Sequence, residues 1–360
     1  MTRPDESLIR DDDLLAKVAE ARAKGTPRQL LDMLISMQVE AQRERDAAHA
    51  AAEAKAAEMA ALPREQRRRR IIKEVIENAP PNIGDVRHIH SVLAICGLPY
   101  DRQPLEKREY EREQGNMAID IQAGSLRDPN GNKVQMPLPF GPKARLILMH
   151  LCSEAVKQKS PTIEIADSFT GFVRDMGFSD SGGKKGPMTA FREQLSALAA
   201  CSIRMSVTDG QRLKSKQFFP IEEFDLWLPT HPDQRMLWPS TVTFSPTMYE
   251  SLQRHALPVN ARAVKAFAGS ARKLDLYFWL GWRVYNIKDP LRISWEALRK
   301  QFGTGYTRDR AFKAQLAEEI GHLKEVFPKL PLTITEQGIS LMPSGPEVLA
   351  LPAPRRIKKS

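Results

Sequence analysis

A chain of 360 residues with 42% apolar side chains can bury cores for two domains of ordinary size plus an extension, which excludes a wholly disordered protein. Its 54 Lys and Arg against 44 Asp and Glu leave a net charge of +10, a balance that favours polyanionic partners such as nucleic acid. Cys96, Cys152 and Cys201 stand apart without Cys-x-x-Cys spacing, so neither a disulfide framework nor a structural zinc site is expected. No apolar signal core and no run of about 18 apolar residues occurs, so a cytoplasmic protein with no membrane partner is expected.

Residues 1–80 read as a loosely attached helical extension. An amphipathic run around Leu30, Leu31, Leu34, Ile35 and Met37 passes into Ala-rich charged sequence, then Arg67 to Arg70 and an apolar pattern halted at Pro80. A first domain is expected over 81–235. The spacing of Val86, Ile89, Val92, Leu93 and Cys96 predicts a helix from Asp85 to Leu98, and Met117–Ile121 with Val134–Leu138 predicts a hairpin around Asp128-Pro-Asn-Gly131. A core helix opens at Gly141-Pro142. A short strand at Thr162–Ile165, a helix to Met176, a Gly-Lys turn and a second helix from Met188 to Cys201 follow. Ile203, Met205 and Val207 then pair with a return through Phe219, Ile221 and Phe224, with Arg212, Lys214 and Lys216 at the tip.

A second domain is expected over 236–345. One core helix covers Ala261–Ile287, a strand Leu291–Trp295, a helix Glu296–Phe302, a further helix capped by Thr307, and a hairpin Leu332–Leu341. Residues 346–360 read as a disordered basic tail.

Ala-Phe-Arg-Glu-Gln-Leu at 190–195 returns as Ala-Phe-Lys-Ala-Gln-Leu at 311–316, an offset of 121 from 190 to 311, and the segments upstream of both copies run in the same order. Such duplication fits an α+β protein of two tandem winged-helix domains with a helical N-terminal extension. At about 100° per residue, Phe312, Leu316, Ile320 and Leu323 face inward, while Arg310, Ala314, Ala317 and Gly321 lie opposite with Lys313 on the flank. In the first copy Thr189, Arg192, Glu193 and Ser196 point out. Cations early on a helix and small residues beyond suit docking in a major groove. Thr189, Arg310 and Lys313 are therefore expected near bases, and Lys184, Lys185, Arg192, Arg212, Lys214, Lys216 and Arg308 at phosphates.

Catalytic signals are weaker. His88-Ile-His90 imitates the paired histidines of metal-dependent nicking nucleases, but on a helix the two rings lie about 200° apart. Gly177–Lys185 fails the phosphate-loop pattern in either register. No enzyme activity and no cofactor are expected.

Three segments carry a resemblance to the RepA family of plasmid replication initiators: Ser91-Val-Leu-Ala-Ile-Cys-Gly-Leu-Pro-Tyr100, Leu138-Pro-Phe-Gly-Pro-Lys-Ala-Arg-Leu-Ile-Leu148, and Ile165-Ala-Asp-Ser-Phe169. The likeness runs from about His90 to Leu341. It implies tandem winged-helix domains that bind repeated double-stranded origin sites, promote opening of AT-rich DNA and help load the host replicative helicase. A homodimer that represses its own promoter, contacts with the host initiator and a role in copy control are implied with it. A transcription repressor without an origin role is the rival reading, and a nicking nuclease the distant one.

Overall fold

Pro27 precedes a long run of good helix formers, and the chain there makes one helix of 34 residues. It belongs to a computed structural model that describes residues 4–78, 83–128, 130–179, 186–224 and 241–351. The chain divides into two compact units, Met1–Arg67 and Arg68–Ser360.

In the first unit a 3-10 turn leads to α1 (Asp12–Ala23), which lies against α2 (Arg28–Ala61). Ile9, Leu14 and Val18 bury against Ile35 and Val39. The Gln42 side-chain oxygen accepts from the Arg10 and Asp11 amides at 3.0 and 2.9 Å, which sets where α1 starts along α2. α3 (Arg64–Asn78) begins in this unit and runs on into the second, where Ile72 enters the core.

The second unit starts with β1 (Val86–His90) and α4 (Ser91–Cys96). A single helix over 85–98 was expected. The first five residues instead pair antiparallel with β11 (Ala256–Asn260), Ile89 opposite Leu257, because a distant strand offers them hydrogen bonds that local periodicity cannot reveal.

β2 (Glu109–Gln114), β3 (Met117–Gln122), β7 (Ser202–Thr208) and β8 (Leu213–Phe218) form a four-stranded antiparallel sheet in the order β2-β3-β7-β8. Two expected hairpins are corrected by it. Met117–Ile121 pairs with β2 and β7, while Lys133–Gln135 (β5) closes a separate small hairpin with Ser125–Arg127 (β4). The return of β7 is β8, and Phe219 to Phe224 leaves that sheet altogether.

The doubling is visible in the topology. α5 (Gly141–Gln158), β6 (Thr162–Glu164), α6 (Ala166–Asp175) and α7 (Pro187–Ala200) are followed, past β7 and β8, by β9 (Ile221–Phe224) and β10 (Thr241–Phe244), whose sheet has the order β6-β10-β9. After α8 (Pro246–His255), β11 and α9 (Ala261–Phe267), the series repeats: α10 (Ala271–Asn286), β12 (Leu291–Ser294), α11 (Trp295–Phe302), α12 (Asp309–Val326), β13 (Leu332–Thr335) and β14 (Gly338–Leu341). That second sheet has the matching order β12-β14-β13. The expected helix over 261–287 is broken at 268–270, where Ser270 caps α10 through the Lys273 amide.

One apolar core, from Ile72 to Leu351, serves both repeats, and α10 packs directly on α5. The tail expected to be disordered from 346 forms a 3-10 turn instead, with Leu349, Ala350 and Leu351 buried, because three apolar side chains find a seat in that core; residues 352–360 lie outside the described residues. Where the repeats meet, three charges are buried together. Arg145 donates to Asp275 at 2.6 and 2.8 Å and to the carbonyls of Leu98, Pro99 and Gly141, while Arg112 reaches the same carboxylate at 3.4 Å and donates to the Gln301 carbonyl and the Tyr100 hydroxyl. Burial pushes the Tyr100 phenol beside Arg112 up to about 12, so it stays neutral there. Gly97 has φ +70°, and a Cβ on it would stand 2.5 Å from Asp275 Oδ2, so glycine is required for the approach.

Candidate nucleic-acid interface

α12 is held by its inner side. Phe312, Leu316, Ile320 and Leu323 are buried, whereas Arg308, Arg310, Lys313, Ala314 and Gly321 are exposed and Ala317 is half-buried, in agreement with the helical spacing. Its N-terminus was expected to be capped by Thr307, but the cap position is Arg308, with no side-chain hydrogen bond. Arg299 does the anchoring instead. It pairs with Asp309 in the first turn and donates to the carbonyls of Tyr306 and Thr307 at 3.3 and 3.2 Å. Arg272, which donates to the Tyr306 hydroxyl at 2.8 Å, stacks over both Tyr306 and Tyr100. The loop before the exposed cations is thereby fixed from beneath.

Trp295 links this helix to the hairpin that follows it. Its Nε1 donates to the Glu336 carbonyl at 3.0 Å, its amide to the Gln337 carbonyl at 3.0 Å, and its ring stands edge-on to Phe312. The Lys313 ammonium lies 5.5 Å from the same ring. Trp295 therefore sets Lys313 and the β13–β14 turn relative to each other. Sequence reading placed it at a strand end and missed this role, since the residues it joins lie far ahead in the chain.

On α7 the outcome is mixed. Phe191, Leu195 and Leu198 are buried and Thr189 is exposed, as the spacing requires, but Arg192 is half-buried and burial holds its guanidinium below the ordinary range. Glu193 was expected to face outward as a free acceptor. Its carboxylate is engaged by Arg102, whose guanidinium also covers the Phe140 ring. Gln194 is buried and accepts from the Phe140 amide at 2.8 Å, tying α7 to the start of α5. Lys143, not singled out by the sequence, lies over Phe178 and Phe191, and burial lowers its pKa. Lys184 and Lys185 lie outside the described residues.

Arg212, Lys214 and Lys216 are exposed, but they sit on the inserted β7–β8 hairpin of the four-stranded sheet, not on the three-stranded sheet that corresponds to β12-β14-β13. In the duplicated plan β9 and β10 hold the place in the first repeat that β13 and β14 hold in the second. α7 packs on α5 and α12 on α10, and α5 packs on α10, so the two candidate helices ride on one core.

The two histidines of 88–90 share a strand, which removes the helical ground for setting them aside. His90 is nevertheless committed locally. Its Nδ1 accepts from the Val92 amide at 3.2 Å, its Nε2 meets the Ser251 hydroxyl at 2.9 Å, and burial lowers its pKa to about 4. Among the described residues no group of three or more His, Cys, Asp or Glu is placed to hold a metal, and no helix is long and apolar enough to cross a membrane.

Residues 138–297 match the family model described as plasmid encoded RepA protein. The chain is also similar to two solved structures of RctB domains. One is a selenomethionine form of domains 2 and 3 of RctB, at 14% identity and a TM-score of 0.43, covering 70% of this chain and 97% of that one. The other is a second structure of RctB domains 2–3, at 12% identity and a TM-score of 0.45, covering 72% of this chain and 99% of that one. No curated protein matches the chain.

Proposed function

We propose that this chain, whose residues 138–297 match the model of the plasmid RepA family, initiates replication by binding repeated double-stranded sites at an origin. Each repeat is read as a winged-helix module. The observation that carries the reading is α12: exposed Arg308, Arg310 and Lys313 at its front, small Ala314 and Gly321 beyond, and a buried back, all held against a hairpin by Trp295. Small residues let the helix axis approach a groove, and early cations meet base edges at the N-terminal end. Arg310, Lys313 and Thr189 act at bases. Lys184, Lys185, Arg192, Arg212, Lys214, Lys216 and Arg308 act at phosphates, which fix register.

Because α7 and α12 ride on one core, both engage a single duplex with little additional loss of freedom, and their linkage raises affinity above that of either module. Several protomers crowding adjacent sites then bend the DNA and open its flexible steps without bond chemistry, and a host helicase and initiator join the opened region. A homodimer repressing its own promoter belongs to the same scheme.

The test is plasmid maintenance. A plasmid carrying the cognate origin but lacking this gene should be lost from its host and be rescued by the gene in trans. Promoter derepression without loss would favour the repressor reading. A covalent tyrosyl-DNA product on supercoiled origin DNA with magnesium or manganese would favour the nuclease.

A further inference from the structure

β8 is an edge strand. Among the described residues it pairs with β7 alone, its residues Leu213 to Gln217 are all exposed, and two large apolar side chains on or beside it stand in solvent, Leu213 at 70% and Phe219 at 58% exposure. The Asp209 amide donates to the Arg212 carbonyl at 3.1 Å, so the hydrogen-bonded pairs of this antiparallel ladder are Val207–Lys214, Met205–Lys216 and Ile203–Phe218. The main-chain groups of Leu213, Ser215 and Gln217 therefore point to the open edge. Such an edge is a template for an added strand.

The side chains say which strand. Alternation puts Arg212, Lys214 and Lys216 on one face, with the buried Phe218 beyond them, and Leu213, Ser215 and Gln217 on the other. A second copy of β8 would set cation against cation in any register that keeps the faces matched, and like charges directly opposite are destabilising. A segment with carboxylates at alternate positions and apolar residues between them would meet the three cations on one face and Leu213 on the other.

We propose that the β8 edge binds an extended segment of a partner protein in which Asp or Glu alternates with apolar residues, adding a fifth strand to the four-stranded sheet. The inference does not rest on the DNA reading, although an acidic strand seated there would occupy the same three cations that phosphates would use.

The probe is a fluorescein-labelled Val-Glu-Val-Glu-Val-Glu peptide, titrated with the full chain in the absence of DNA and followed by anisotropy. Saturable binding is expected, at least tenfold weaker for the Lys214→Glu, Lys216→Glu double variant and for a peptide in which every glutamate is lysine. A peptide N-methylated at alternate residues on its pairing edge should also lose at least tenfold, and this control leaves the protein unaltered. Ser215→Pro, which removes one outward amide and the exposed Ser206–Ser215 hydroxyl contact but none of the β7–β8 backbone bonds, should do the same with the thermal transition retained. No binding at 1 mM peptide would overturn the proposal and leave the lysines as guards against edge pairing. Equal binding of the N-methylated peptide would overturn it too, since charge alone would then suffice. A homodimer abolished by Ser215→Pro would assign the edge to a second copy and likewise refute it.

Discussion

Replacing Asp275 by Asn keeps the shape of the side chain and removes the only carboxylate that Arg112 and Arg145 contact among the described residues. All three side chains are 3–4% exposed, so the two cations would be left in the interior facing a neutral amide. The bonds at 2.6 and 2.8 Å from Arg145 are short and charge-assisted, each contributing about 1.5–3 kcal/mol, while the 3.4 Å contact from Arg112 adds little. Breaking a buried ion pair from one side costs about 3–5 kcal/mol, and the expected loss lies in that range. All five tryptophans fall within Arg68–Ser360, so urea unfolding followed by tryptophan fluorescence reports on the second unit alone. The midpoint should fall with the slope unchanged, in one transition, because both repeats share the core. A loss below about 1 kcal/mol would mean that the cluster does not couple the repeats. Two separated transitions would contradict the single core.

Glu319, 4% exposed, has its pKa pushed up to about 7 by burial, which outweighs Arg272 at 3.5 Å. A raised folded-state value means that the stability this group contributes is present below about pH 4.5 and is lost as pH rises through 7; Glu319→Gln should therefore stabilise the protein at pH 8 by roughly 1–3 kcal/mol and flatten thermal midpoints measured between pH 5 and 8. Trp295→Ala should weaken binding to origin DNA at least tenfold in a filter-binding assay while costing about 2 kcal/mol in stability; unchanged binding would dismiss the link between Lys313 and the hairpin. Arg310→Ala should weaken specific DNA more than random DNA, whereas Lys214→Ala should weaken both alike and lower the salt slope by about 1, and equal losses throughout would contradict the assignment of one to bases and the other to phosphates.

Helix faces were legible in the chain because a side chain's place around a helix depends only on its neighbours. Phe312, Leu316 and Ile320 against Arg310 and Ala314 follow from spacing alone, and so does the doubling, since each copy of the motif repeats its own local signals. The mixed α and β character and the RepA likeness were equally readable from short segments.

Strand partners were not, because pairing is settled by whichever unsatisfied backbone the folded chain brings alongside. Val86–His90 has a helical look and becomes a strand when Ala256–Asn260, far along the chain, lies against it. Phe219 to Phe224 departs from the sheet it seemed to close because β10 offers a better-placed edge. Burial of Arg112, Arg145 and Asp275 is likewise a tertiary outcome: each alone would be drawn to water, and only their convergence from β2, α5 and α10 makes the interior tolerable for all three. Local periodicity thus determined which residues form the two candidate DNA-facing helices, while long-range pairing and charge compensation decided that both would be mounted on one shared core.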